Sequence, residues 1–526
     1  MHIKLNVLVS LLAATVANGL PSDASASGSS NGLPSYGGSY GGSNGGSHGS
    51  PNGPPHGPPG GPPHGPPNGP SCNPPPPPPG KPSPNRPAAG SPESISQMRD
   101  KIKHWILVVM ENHSFDNIFG DLTIPGISTH ATEGPFCNPL NVTAGPEPKY
   151  CAKKREFDSI TNDADHSNQG NNMEFYGTYT PNQADIQSGK LKANNQGFAT
   201  RHIAVHGGKV NLTDEQLAAE VMDYYPESAI PVFSTLAHNF KVFNMWFSDV
   251  AGATNPNRCY LSSGTSLGHT SNNFNVNTMP QKSIFQSLSE AGIKWKGYSH
   301  DKHNIDDLFW YEYIWNNNLT DNIRNIEEFY SDVVTGNLPP YTVLTPDCCG
   351  INTQSMHPNG YTHDGERFIK SIYEVVRNSA AWEDTAILLT FDETGGFFDH
   401  VPNQVVPRPD DNTDSSTYKA PDGTNYTYHF DYSGGRLPTI LISGWVDNTV
   451  EQLGTNLAGK EVAYLATSHL HTMGLYFNFT AYNPRVEYAP TYDSVFSDTF
   501  RKDTPATLPD PVPFDVNQKE ELLGSF

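Results

Sequence analysis

WILVVM, residues 105–110, runs without a break into Glu111-Asn112-His113-Ser114-Phe115-Asp116. Six consecutive apolar residues with no polar alternation are the pattern of a strand buried on both faces, as in the interior of a parallel sheet. The pattern recurs in AILLTF, residues 386–391, and in TILIS, residues 439–443. Between the first two, DGERFIKSIYEVVRN (364–378) puts Phe368, Ile369, Ile372, Val375 and Val376 on one helical stripe. Strands of this type separated by helices predict an α/β layered fold, with a mainly parallel central sheet flanked by helices.

In such folds chemistry collects at the carboxyl ends of the strands. WILVVM delivers Glu111 and Asn112 there, and AILLTF delivers Asp392 and Glu393, followed by Thr394-Gly395-Gly396-Phe397-Phe398-Asp399-His400. The apolar stretch 242–247 reads as a third strand, leading into Ser248-Asp249 and GATNPNR (252–258), which presents the hydroxyl of Thr254 and then Arg258. The three ends are expected on one edge of one sheet.

Glu111, Asn112, Asp392 and Glu393 form an all-oxygen set, hard ligands suited to Mg²⁺, Ca²⁺ or Mn²⁺, with Zn²⁺ admitted if a histidine joins. Clustered carboxylates without a cation raise one another's pKa, and a divalent metal relieves that and activates a hydroxyl such as Thr254. Arg258 suits the non-bridging oxygens of a phosphate, and His357 or His400 the proton that a leaving alcohol needs. Each residue has a plainer reading: Arg258 pairing with an acid, Thr254 capping a helix through Tyr260-Leu261-Ser262, His400 orienting a neighbour, Asp399 serving structure, His166 sitting in a polar loop.

The N-terminus, MHIKLNVLVSLLAATVANG, has the order of a secretory signal peptide over residues 1–19. Residues 20–95 are a Gly-, Ser-, Pro- and His-rich stalk whose composition cannot offset its ordering entropy, leaving 96–526 as the catalytic domain. No later segment has the apolar length of a membrane helix. A net charge of −22 excludes nucleic acid as a partner. The location expected is secreted, extracellular or in a cell wall.

Six cysteines on an export route make disulfides possible. Cys137 and Cys151 are the best pair, and adjacent Cys348 and Cys349 are expected not to bridge each other. Asn141, Asn211, Asn318, Asn425 and Asn478 head ordinary glycosylation sequons. A sixth sequon, at Asn112, lies among the assigned site residues and is expected to stay unmodified.

MENHSFDNIFG, GATNPNRCYLSSGTS, MHPNGYTHDGERF, TFDETGGFFDHVP and GGRLPTILISGW together resemble the phosphoesterase family that contains phosphatidylcholine-type phospholipases C and an acid phosphatase. They span about Lys103 to Tyr476 in the family's order. The resemblance implies the alkaline phosphatase-like α/β fold, a metal at Glu111, Asn112, Asp392 and Glu393, and Thr254 as nucleophile and further ligand. It implies that His357 is the active-site histidine and that His166 matches the histidine of a D-x-x-H-S stretch. His471 resembles the histidine of a D-H-T-S motif, but Leu470 replaces the aspartate. Ala253 stands where the family commonly has proline. The expected activity is a metal-assisted hydrolysis of phosphoric esters through a phospho-threonine, of phospholipase C type on a phospholipid. The alternatives are an acid phosphatase acting on a small phosphate ester and, in another class, a catalytically idle glycosylated surface protein.

Overall fold

The computed structural model describes residues 86–157, 159–300, 306–358, 360–410, 415–479 and 483–513. The expected signal peptide, most of the expected stalk and Cys72 lie outside the described residues. The boundary expected at residue 95 falls inside a helix, α1 (Pro92–Lys101), whose N-cap is Ser91. Ahead of it Arg86 reaches Asp447 at 2.7 Å, and the Gly90 amide donates to Asp493.

Eight strands form the central sheet: β1 (His104–Met110), β2 (Lys241–Phe243), β3 (Trp295–Ser299), β4 (Ile323–Asn325), β5 (Tyr341–Leu344), β6 (Thr385–Phe391), β7 (Ile440–Ile442) and β8 (Val450–Glu451). Their order is β8-β2-β7-β6-β1-β5-β3-β4. From β6 to β4 every pairing is parallel; β7 lies antiparallel to both its neighbours, and β8 is parallel to β2. The sheet is thus mainly parallel, with one reversed strand, and the α/β reading holds. β1 and β6 sit at its centre, buried from Trp105 to Met110 and from Thr385 to Phe391, as unbroken apolar runs require.

Helices cover the sheet. α2 (Phe115–Phe119) follows β1 directly. α3 (Thr254–Ser263) carries the GATNPNR residues, α4 (Thr362–Arg377) is the amphipathic helix before β6, and α5 (Ala466–Phe477) lies near the C-terminal end. Phe368, Ile369, Ile372, Val375 and Val376 of α4 are all buried.

The stretch 242–247 is not the single strand expected. It divides into β2 and a separate short strand, Trp246–Phe247, which pairs with Tyr464–Leu465 in a two-stranded sheet of its own. Asn244 causes the break: its amide side chain bonds Ser128 and Gln452, so the chain turns there to satisfy a buried polar group. Thr254 therefore does not leave the end of a strand of the central sheet.

Cys137 and Cys151 are bridged, facing each other across a short antiparallel pair. The expectation for Cys348 and Cys349 fails: they are bridged to each other, across a cis peptide. The asparagines of the five ordinary sequons are exposed, whereas Asn112 is buried. Among the described residues no helix is long and apolar enough to cross a membrane.

Candidate active site

Register alone brings Glu111 and Asp392 together. Met110 of β1 lies opposite Phe391 of β6, so Glu111 and Asp392 emerge side by side, and the Asp392 amide donates to the Met110 carbonyl at 3.1 Å. Asn112 then adopts a left-handed conformation, φ 60°, which asparagine tolerates better than most residues. This turns its backbone N–H onto Asp392 Oδ1 at 3.2 Å, and the Glu393 amide donates to the same oxygen at 2.7 Å. The Gly395 amide donates to Glu393 Oε2 at 2.6 Å. Gly395 has φ +64°, and a Cβ there would collide with the Asn112 carbonyl, so no other residue serves at this crossing.

Asn257 builds the loop that presents Thr254. Its Nδ2 donates to the carbonyls of Val250, Gly252 and Ala253, each at 3.1 Å, and its Oδ1 accepts from the Val250 amide at 2.9 Å. The loop is thereby folded onto the first turn of its own helix. Ala253, not Thr254, is the N-cap of α3, and it makes no side-chain cap bond. Thr254 is the first helical residue, and its hydroxyl donates instead to Glu111 Oε1 at 3.4 Å. The capping reading of Thr254 is thus displaced by a contact with the site. The N-terminal end of α3 also favours negative charge developing on this oxygen. One turn on, Arg258 Nε donates to Asp392 Oδ2 at 3.0 Å, with both side chains buried.

The electrostatics are those of a site built around a cation. Burial, then the charge of Asp392, push Glu111 above the ordinary carboxylate range, against the pull of Arg258, His357 and Ser355. Burial and Asp392 push Glu393 well above that range, with Glu111 and Asp163 adding to the effect. Both polar atoms of the Asn112 side chain and Oε1 of Glu393 are buried without a hydrogen-bond partner. Orphaned oxygens beside three crowded carboxylates call for a ligand. A divalent metal fits that donor set, with Glu111, Asn112, Thr254, Asp392 and Glu393 as the residues that would hold it.

The histidines divide. His357 is half-buried in the loop before α4 and lies within ligand distance of Glu111 and Cys349, the candidate donor atoms being within 4.8 Å of one another. Bridged to Cys348, the Cys349 sulfur is no thiolate ligand. His166 meets His357 edge to face, centroids 6.0 Å apart, with Nδ1 on the Ala164 carbonyl at 2.9 Å. His400 belongs elsewhere: Nδ1 faces Asp116 Oδ2 at 2.6 Å, Nε2 faces Ser128 Oγ at 2.9 Å, and the ring stacks on Phe136. Arg436 binds both Asp116 and Asp399 there. The proton-donor role expected for His400 thus gives way to the orienting one. His471 is buried on α5 with Nδ1 on the Ala489 carbonyl at 2.7 Å, a packing contact that agrees with the loss of its aspartate neighbour at Leu470.

Two neighbours of Glu111 escaped the sequence reading. Cys349 Sγ stands 3.9 Å from both carboxylate oxygens of Glu111, and Ser355 accepts the Glu111 amide on its carbonyl at 3.0 Å. Their signal was present: β5, Tyr341–Leu344, is a short apolar run ending in Thr345-Pro346-Asp347-Cys348-Cys349, beside β1 in the sheet.

The model of the Phosphoesterase family matches residues 102–479. Non-specific phospholipase C1 of Arabidopsis thaliana is 32% identical over 437 residues, covering 79% of this chain and 75% of that protein. Non-specific phospholipase C6 of the same plant is 30% identical over 441 residues, covering 81% and 78%. Phospholipase C B of Mycobacterium tuberculosis is 26% identical over 364 residues, covering 61% of this chain and 63% of that protein. Among solved structures, a protein in the alkaline phosphatase superfamily from Vibrio parahaemolyticus is a distant likeness, with TM-score 0.31 and 11% identity over 50% of this chain and 63% of that one.

Proposed function

The chain belongs to the phosphoesterase family, and from that membership we infer that it is a hydrolase of phosphoric esters; within that class we propose a phospholipase C activity on phospholipids. The observation that carries the mechanism is the Thr254 hydroxyl, placed at the first residue of α3 and bonded to Glu111.

Thr254 Oγ gives its proton to the Glu111 carboxylate it is bonded to and attacks phosphorus, a phosphorus–oxygen bond forms, and the bond to the diacylglycerol oxygen breaks. The hydrogen bond to Glu111 orients the attacking oxygen. His357 supplies the proton the leaving alkoxide takes up. Water then attacks phosphorus, gives its proton to His357 and releases the phosphorylated headgroup, while the proton held by Glu111 returns to the Thr254 oxygen. Arg258 holds Asp392 in place through Nε and steadies the negative charge around it. A divalent metal held by Glu111, Asn112, Thr254, Asp392 and Glu393 supplies Lewis-acid stabilisation of the phosphoryl oxygens when bound. His166 supports His357 by its ring contact. A secretory route, exposed glycosylation sequons and a Pro/Gly stalk complete the reading.

The test is hydrolysis of phosphatidylcholine and of p-nitrophenyl phosphate by the purified protein, with and without chelator. Release of phosphocholine that stops in chelator supports the proposal. Turnover of p-nitrophenyl phosphate alone makes the protein a phosphomonoesterase, and turnover of neither, in folded metal-loaded protein, overturns both.

A further inference from the structure

We propose that the rim of the active site is a docking surface for a zwitterionic phospholipid bilayer, an inference that rests on the phospholipase C reading. Two segments border the reacting groups. In the first, the Thr270 carbonyl accepts from the Ala253 amide at 3.4 Å and Asn272 Oδ1 accepts from the Asn255 amide at 2.8 Å, on either side of Thr254. In the second, Cys349 lies against Glu111. These segments carry exposed apolar side chains. Ile351, two residues from Cys349, is 63% exposed, Val276 is 55% exposed and Leu267 is 41% exposed.

Leu267 has φ 51°, a conformation that costs a bulky residue energy and that here holds an apolar side chain in water. Trp315 extends the patch: it is partly exposed, its indole N–H donates to the Phe309 carbonyl, and the same carbonyl accepts the Asn277 amide beside Val276.

Charge selects the occupant. No Asp, Glu, Lys or Arg occurs in residues 259–281 or 348–363, although 16% of the chain is charged and its net charge is −22. An acidic protein is repelled by an anionic membrane, and these two segments offer no lysine or arginine to hold one. The exposed apolar side chains of these charge-free segments insert among the headgroups of a phosphatidylcholine surface without burying an unpaired charge. Docking there would bring the phosphodiester to Thr254 from a direction the loops already frame.

The experiment uses full-length, metal-loaded protein and vesicles of pure phosphatidylcholine. Wild type and Thr254→Ala are expected to co-sediment with the vesicles, at high salt as at low. The double variant Ile351→Ser/Val276→Ser is expected to bind about tenfold more weakly, because two insertion points are lost. Its vesicle hydrolysis should fall in proportion, while kcat/KM on soluble p-nitrophenyl phosphorylcholine stays at the wild-type value. Undiminished vesicle binding or vesicle hydrolysis by the folded double variant overturns the docking surface and leaves the activity standing. A requirement for anionic lipid also overturns it. Vesicle binding that depends on Ile351 and Val276 without any lipid hydrolysis supports the surface and rejects the phospholipase reading instead.

Discussion

Replacing Arg258 with methionine removes a positive charge from a place where three carboxylates meet. Arg258 Nε lies 3.0 Å from Asp392 Oδ2, and both side chains are almost fully buried. Burial first, and the charge of Asp392 next, raise the pKa of Glu111 and Glu393. Truncating one partner of a buried pair costs about 3–5 kcal/mol, because the remaining charge stays desolvated without its partner. The unfolding entropy of the roughly 430 residues in the folded part, at about 2.1 cal/mol/K per residue, converts this to a Tm lower by about 3–6 °C. That loss applies to chelator-treated protein. When a divalent cation fills the site it supplies the missing countercharge, so the same substitution should cost less in the loaded protein. Scanning calorimetry of wild type and Arg258→Met, each in chelator and in excess Mg²⁺, Ca²⁺, Mn²⁺ or Zn²⁺, measures all the required differences. An equal Tm loss with and without every metal would refute the idea that Arg258 and a cation share the neutralisation of Asp392.

Three further outcomes follow from the same geometry. Thr254→Ser should keep measurable turnover, since the attacking oxygen survives while the methyl that restricts its rotamer is lost, and steady-state kcat on a soluble phosphoester reads this directly. Burial opposes charge on His400, but Asp116 outweighs it and raises the ring's pKa, while burial of Asp116 is outweighed by His400 and Arg436, which hold it down to about 2. The stability from His400 is therefore complete below the unfolded histidine value of about 6.5 and lost as pH rises through the raised folded value, whereas that from Asp116 is present above about 3.9 and lost as pH falls through about 2. The Tm advantage of wild type over His400→Asn should be largest between about pH 4 and 6.5 and shrink toward pH 9; a flat difference would contradict the pairing. Deleting residues 25–85 should leave kcat on a soluble phosphoester unchanged, whereas extending the deletion past Arg86 removes its bond to Asp447 and should lower Tm as well.

Local pattern carried the reading where a single element decides the answer. β1, β6 and α4 were legible because an unbroken apolar run or a helical stripe needs no distant partner to be recognised. Glu111, Asn112, Asp392 and Glu393 were legible with them, as the residues next in line after two neighbouring strands. The break at Asn244 was hidden because its side chain is satisfied by Ser128 and Gln452, which are far away in the chain. The partners of His400 were hidden for the same reason: Asp116 and Ser128, which hold its ring, precede it by 284 and 272 residues. The support of Thr254 was hidden too, since its position comes from Asn257 closing the loop onto α3 rather than from a strand of the central sheet.

The covalent role of Thr254 is tested most directly by acid-quenching the metal-loaded protein during turnover of a soluble phosphodiester and sequencing the peptide that contains residues 252–258 by mass spectrometry. The account predicts a phosphoryl adduct on Thr254 in the wild type, absent from Thr254→Ala, whose kcat falls on the order of 10³-fold or more while its fold is kept. Folded Thr254→Ala that turns over at the wild-type rate would contradict it.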